Sequence, residues 1–356
     1  MTSRTGSRTG LQAPPPPVLD RCRELVEPAL RTAVQTLHPW PRRMASFSLG
    51  WCDADGLPGV GPGNSGGKGV RQALAVLGAE AVDAPGDAAV AGAVAVELVH
   101  TFSLVHDDIM DGDERRRHQE STWKAFGTGP AVLAGDSLFA LAVETLAGAG
   151  GKSGAEAVRH LSGALRELVH GQADDLLFEN RPWTGPQAVD IPAYRAMALR
   201  KTGSLLGCAM AVGPVLAGAS PLLSGALTEA GRQLGAAFQA VDDLLGIWGD
   251  PESTGKPVHN DLRRRKKTLP VLAALASDTT AGRRLALLLD SDAPLDTADA
   301  YCAAELVEEA GGRAFTMAEA RRHVAAAHDC LDSVPLVPRA VSELRSLSEF
   351  LIDRQL

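Results

Sequence analysis

The sequence predicts an all-α chain. Three observations carry that expectation. Apolar residues recur at spacings of three and four through Ala- and Leu-rich stretches from about residue 18 onward, these stretches end at Gly, Pro and Asp clusters, and alternating strand-like runs are scarce. Taken in order, a helix over 18–37 runs to His38-Pro39, one over 67–82 to Asp83, and one over 86–111 to Gly112. The next, 130–148, ends among Gly148, Gly150 and Gly151, and 154–178 stops before Asn180. Helix 191–212 follows Asp190 and ends before Pro214, 222–249 follows Pro221 and ends at Asp250-Pro251, and 268–289 ends at Asp290. Helix 298–310 ends at Gly311-Gly312, 315–332 at Ser333, and 336–354 closes the chain. The segments 53–67, 112–129, 180–190 and 251–267 are left as loops, where catalytic groups collect on a rigid scaffold.

At 356 residues, with 45% hydrophobic and 22% charged side chains, the chain can bury a sizeable core, which excludes wholesale disorder and rod-like folds. A formal charge of -8 argues against a nucleic-acid partner, because such affinity comes from clustered Lys and Arg. The five cysteines form no CxxC pair, so neither a disulfide framework nor zinc is expected and a reducing cytoplasm fits. Residues 1–17 read as a disordered Pro-rich N-terminal tail and 18–356 as a single domain. Thr202 to Thr228 carries no charge and is long enough to cross a membrane, but Pro214, Pro221 and its small residues mark buried core, so no transmembrane segment is expected.

The sharpest chemical feature is Asp107-Asp108-Ile109-Met110-Asp111 at the end of an apolar helix. Asp107 and Asp111 lie one turn apart on one face, and such crowding is repulsive unless a cation relieves it. Asp242-Asp243, in the run Phe238 to Asp250, closes a second long apolar helix. Two hard-oxygen clusters facing each other across a bundle suit Mg2+, which prefers carboxylates together with water and phosphate oxygens. Cations held there would neutralise a departing diphosphate.

With these motifs in place, the chain resembles the trans-isoprenyl diphosphate synthases of the polyprenyl synthetase family over about residues 40 to 350. Gly66-Gly67-Lys68-Gly69-Val70-Arg71 is similar to that family's GGKxxR segment, and His100 precedes Asp107 by seven residues, two helical turns or about 10 Å along the same face. The resemblance implies a single-domain helical bundle of the isoprenoid synthase type around a central apolar tunnel. It implies that Asp107, Asp108, Asp111, Asp242 and Asp243 hold three Mg2+ ions. Isopentenyl diphosphate would then be bound by Lys68, Arg71, His100 and Arg117, and the allylic diphosphate by Arg116, Lys201, Thr202, Gln239, Lys256 and Lys266. Lys256 and Lys266 lie in a segment similar to the family's GKxxxxD closing loop, and Gly171-Gln172 with Asp175 resembles its GQxxD helix, Asp175 being expected to position water or Lys201. The resemblance further implies a homodimer.

Several positions depart from the family pattern. Gln72 and Glu120 stand where prolines are usual, His259 where a glycine is usual, and Gly246 at the third acidic position of the second motif, with Asp250 as a candidate helper. A class I terpene cyclase would carry a different second motif and have no use for Lys68, Arg71 and His100. A silent partner subunit would be expected to have lost an acidic motif. Chain length is read from the helix before Asp107. Ser103 is small and leaves the path open, whereas Phe102 lies about 7.5 Å deeper than Asp107 and reaches in from the flank as a floor. In the resembling family this pattern goes with a C20 product, geranylgeranyl diphosphate, with farnesyl diphosphate as the alternative.

Overall fold

The computed structural model describes residues 15–58, 69–116, 119–251, 258–291 and 295–352. The helices are α1 (Pro17–Gln35), α2 (Pro39–Ser48), α3 (Val70–Ala81), α4 (Val90–Asp111), α5 (Thr122–Phe126), α6 (Thr128–Gly148), α7 (Gly151–Glu179) and α8 (Ile191–Ala198). They continue with α9 (Ser204–Leu216), α10 (Pro221–Trp248), α11 (Asn260–Arg263), α12 (Leu269–Ala276), α13 (Thr280–Leu289), α14 (Thr297–Glu309), α15 (Gly312–Asp332) and α16 (Pro338–Ile352). Among the described residues the only sheet is a hairpin of two-residue strands, β1 (Arg115–Arg116) and β2 (Gln119–Glu120), so the all-α expectation holds.

Helix α9 is apolar all round and lies at the centre, with every residue from Ser204 to Val215 buried. A helix without a polar face must be enclosed, and α3, α4, α7 and α10 enclose this one. Helix α10 also packs along α15, and α4 along α6. A smaller apolar cluster joins the end of α10 to α12, α13 and α14, and a third joins α7, α8, α10, α12 and α15 around Tyr194 and Leu272. These side clusters hold the C-terminal end of α10 beside the loop before α12, and Arg264 and Lys266 of that loop bond the end of α4.

The structure departs from the expected elements where short-range chemistry outweighs periodicity. Helix α2 lies in a stretch to which the periodicity assigns no helix; proline suits a first helical turn, and His38 Nδ1 accepts a bond from Trp40 N at 3.3 Å. The stretch 268–289 divides because Thr279 Oγ1 accepts from Gly282 N at 3.0 Å and starts a new helix. The stretch 191–212 is interrupted by a single π turn, Leu199–Gly203. The apolar run Thr202 to Thr228 divides at residues 217–220, where Ser220 caps α10. Two other helical stretches, Gly86–Asp111 and Thr128–Gly148, are long and apolar enough to cross a membrane; the first is mostly buried and carries the first acidic motif. Helix α1 begins at Pro17, and the rest of the expected tail, residues 1–14, lies outside the described residues.

Candidate active site

The first acidic motif forms the last turn of α4, and its carboxylates have separate partners. Asp108 is 2% exposed. The hairpin after α4 brings Arg116 back over it, with Nε donating to both carboxylate oxygens at 2.9 Å and a terminal nitrogen donating to Oδ1 at 2.6 Å. In this state Arg116 and Asp108 neutralise one another through a charge-assisted fork.

Asp107 and Asp111 remain. Burial pushes the Asp107 carboxyl up to about 6, although Lys201 pulls it down. Burial also pushes Asp111 up, but Lys266, Lys201 and Arg264 outweigh it and hold the carboxyl below its usual range. Lys266 Nζ donates to Asp111 Oδ2 at 2.7 Å, while Asp111 Oδ1 is buried without a hydrogen-bond partner. Arg264 donates to the Asp111 carbonyl and to Asp113 Oδ1. The basic loop before α12 is thus seated on the end of α4.

On the facing side, Lys201 and Thr202 lie in the π turn, where the widened helix re-aims them. Lys201 Nζ donates to Asp175 Oδ2 at 2.5 Å, so Asp175 positions the lysine. Helix α7 approaches closely enough to do this only because residue 171 is glycine; a side chain there would collide with the backbone of Lys201. Thr202 Oγ1 donates to Gln239 Oε1 at 2.6 Å, and Gln239 Nε2 donates to Asp243 Oδ1 at 3.0 Å. Asp243 is 4% exposed, and its Oδ2 accepts from Tyr194 Oη and from Leu269 N at 2.7 Å. Burial pushes this carboxyl up to about 7 against the pull of those three donors. Asp243 thereby ties α8, α10 and α12 together in this state, because a buried carboxylate must be satisfied where it lies. Asp242, its neighbour on α10, is half-buried.

Arg71 is at the start of α3 and His100 on α4, each half-buried, and α3 packs on α4. Lys68, Arg117 and Lys256 lie outside the described residues. Phe102 is half-buried, its ring edge-on to His106 at 4.8 Å and 5.7 Å from Phe139 of α6; Ser103 is buried and donates to His100 O at 2.9 Å. Of the departures, Gln72 is buried in α3, and Glu120 is exposed opposite Arg115 in the hairpin. Asp250 is exposed just beyond α10.

The donor set suits magnesium. The groups are carboxylate oxygens, and one of them is buried and unsatisfied. Among the described residues no three His, Cys, Asp or Glu side chains converge on one point, so each ion would take one or two carboxylates and leave its other positions to water and phosphate oxygens.

Sequence reasoning missed Arg264, Tyr194 and the Leu269 amide. Arg264 is one of five consecutive cations, Arg263 to Lys267, and composition does not say which turns inward. Tyr194, one of two tyrosines in the chain, carried a signal: a phenol in an apolar helix needs a partner.

Residues 63–306 match the polyprenyl synthetase family. The chain is 45% identical over 342 residues to (2E,6E)-farnesyl diphosphate synthase of Mycobacterium tuberculosis, covering 95% of this chain and 93% of that enzyme. It is 40% identical over 339 residues to the geranylgeranyl diphosphate synthase of the same organism, with the same coverage of 95% and 93%. The crystal structure of polyprenyl synthetase from Streptomyces coelicolor A3(2) superposes with a TM-score of 0.87 at 45% identity, covering 94% of this chain and 99% of that one. Two acidic helix ends closed by a basic loop, on an all-α bundle shared along its length with these proteins, place the chain in the polyprenyl synthetase family, as a prenyltransferase.

Proposed function

We propose that the chain is a Mg2+-dependent short-chain prenyltransferase that condenses isopentenyl diphosphate with an allylic diphosphate, making geranylgeranyl diphosphate. The observation that carries this reading is the meeting of Asp111 and Asp113 with Lys266 and Arg264, opposite Lys201 on Asp175. Carboxylates and cations that neutralise one another in this state are the two halves of a metal-diphosphate cradle. When bound, Mg2+ supplies charge neutralisation to the leaving diphosphate.

Asp107, Asp111 and Asp242 would hold the ions. Lys201, Lys266 and Arg264, together with Lys256, would bind the allylic diphosphate, and Lys68, Arg71, His100 and Arg117 isopentenyl diphosphate. The buried faces of α4 and α9 exclude water from the allylic cation, and the released diphosphate takes the proton, so no side-chain nucleophile is required. The free cysteines fit a cytoplasmic enzyme. Val132, Leu133 and Phe139 leave an apolar face on α6 that a homodimer would cover.

The two substrates separate by mutation. Arg71→Ala and His100→Ala, with Lys68→Ala, are expected to raise the KM for isopentenyl diphosphate, and Lys201→Ala that for the allylic substrate. Each lost charge-assisted bond costs about 1.5–3 kcal/mol. Steady-state kinetics with each substrate varied in turn checks the division, and equal effects on both KM values from every variant would refute it.

Product length rests on Phe102 and Ser103. The Phe102 ring is held between His106 and Phe139, which favours a fixed floor. Purified enzyme given Mg2+, isopentenyl diphosphate and allylic primers of increasing length is expected to stop at C20. Phe102→Ala should lengthen the product and Ser103→Phe shorten it to C15, read by chromatography of the dephosphorylated alcohols. A wild-type C15 product would overturn the chain-length assignment, and no turnover with any primer would overturn the function.

A further inference from the structure

The loop between α7 and α8, residues 180–190, is one of the four in which functional groups are expected, yet it bears none of the residues assigned above to cations or diphosphates. It is anchored at both ends. Val189 joins the apolar cluster around Tyr194, and Trp183, 8% exposed, joins the cluster at the end of α10 together with Ile247, Leu262 and Val271.

The ring of Trp183 meets the basic loop. Lys267 is 6% exposed, and its Nζ lies 3.6 Å from the ring centroid. Among the described residues Lys267 forms no ion pair; the indole face is the partner its charge finds. Burial, and then Arg265, push the ammonium down to about 8, while Glu179 raises it. The backbone fixes this cation relative to its neighbour. Thr268 N donates to Lys266 O at 3.0 Å, a three-residue turn with Lys267 at its centre. From that turn Lys266 Nζ reaches Asp111 Oδ2 on α4 at 2.7 Å, and Lys267 reaches Trp183. Trp183 follows directly on α7, the helix whose Asp175 holds Lys201. One segment therefore touches Lys201 through Asp175 and the neighbour of Lys266 through Trp183.

We propose that Trp183 is a positioning residue for the reaction: by holding Lys267 against its ring, it fixes the turn that presents Lys266 to the allylic diphosphate. Trp183 acts through Lys267, and together with Asp175 it sets the spacing of Lys201 and Lys266. The proposal rests on the assignment of Lys266 to that diphosphate.

Steady-state kinetics of the full chain with each substrate varied in turn tests it, with thermal melts confirming that each variant is folded. Lys267→Met keeps the apolar stem and removes the charge. It is expected to raise the KM for the allylic substrate about tenfold, the scale of a buried cation–aromatic contact, with kcat and the KM for isopentenyl diphosphate within about twofold of the wild type. Lys267→Arg should stay near the wild type, because a guanidinium also stacks on an indole. Trp183→Phe should fall between the wild type and Trp183→Leu, since a phenyl face attracts a cation less strongly. Lys267→Met combined with Trp183→Leu should be no worse than the more severe single variant, as two halves of one contact require. A wild-type allylic KM in Lys267→Met, or single effects that multiply in the double variant, would overturn the proposal. So would equal losses for both substrates, which is the result of a damaged core. An unchanged allylic KM in Lys266→Ala would overturn the diphosphate assignment beneath the proposal, and the proposal with it.

Discussion

Asp107→Ala is expected to lower turnover by about a hundredfold or more while the far-ultraviolet circular dichroism remains that of the wild-type helices. Asp107 is half-buried on the last turn of α4, and the ties that seat the basic loop on this helix run through Asp111 and Asp113. Its removal therefore deletes charge from the cation site without cutting the loop away. The same group sets a pH dependence. Burial first, and then the neighbouring Asp111, hold its folded carboxyl up at about 6 against Lys201, so it is protonated below that pH and ionised above. A cation needs the ionised form. The Mg2+ concentration for half-maximal rate should fall as pH rises through about 6, and this sensitivity should be absent from residual activity in Asp107→Asn. An Asp107→Ala enzyme with undiminished rate, or wild-type turnover in EDTA, would remove the metal reading.

Asp243→Ala is expected to cost stability as well as turnover. The variant leaves the Tyr194 hydroxyl, the Leu269 amide and the Gln239 side chain without their common acceptor in a buried place. A buried donor left unmade costs about 1–3 kcal/mol, so a loss of about 2–4 kcal/mol is expected after partial relaxation. Asp243→Asn keeps shape and one acceptor oxygen and should fall between. Urea unfolding of the two variants beside Asp107→Ala separates the roles: Asp243→Ala should unfold at distinctly lower urea, Asp107→Ala near the wild type. Coincident curves for all three would mean that Asp243 does not tie α8, α10 and α12 together.

The sequence by itself determined the all-α class, the helices that bear the acidic motifs, and the order of motifs that marks the family. These are legible because helical period and motif spacing are local: Asp107 and Asp111 share a face wherever α4 is placed. The resemblance of Gly171-Gln172 and Asp175 to the family's GQxxD helix implied that Asp175 positions water or Lys201, and the structure pairs it with Lys201. The π turn at Leu199–Gly203 was not legible, since no residue type marks an extra residue in a turn.

The tertiary structure alone decided what the aspartates of each pair are bonded to. Adjacent residues on a helix point about 100° apart, so the members of a pair meet different neighbours. Those neighbours depend on what packs there: Arg116 returns over Asp108, and Tyr194 and Leu269 close on Asp243. Arg264 among five neighbouring cations, and Asp261 in the space beside Gly246, were likewise decided by approach. The bonds of Arg264 and Lys266 to α4 join residues 151 to 155 positions apart. No local period encodes such contacts; they exist because α4 and α10 both pack on α9, and a buried carboxylate is satisfied by whichever donor the packing brings to it.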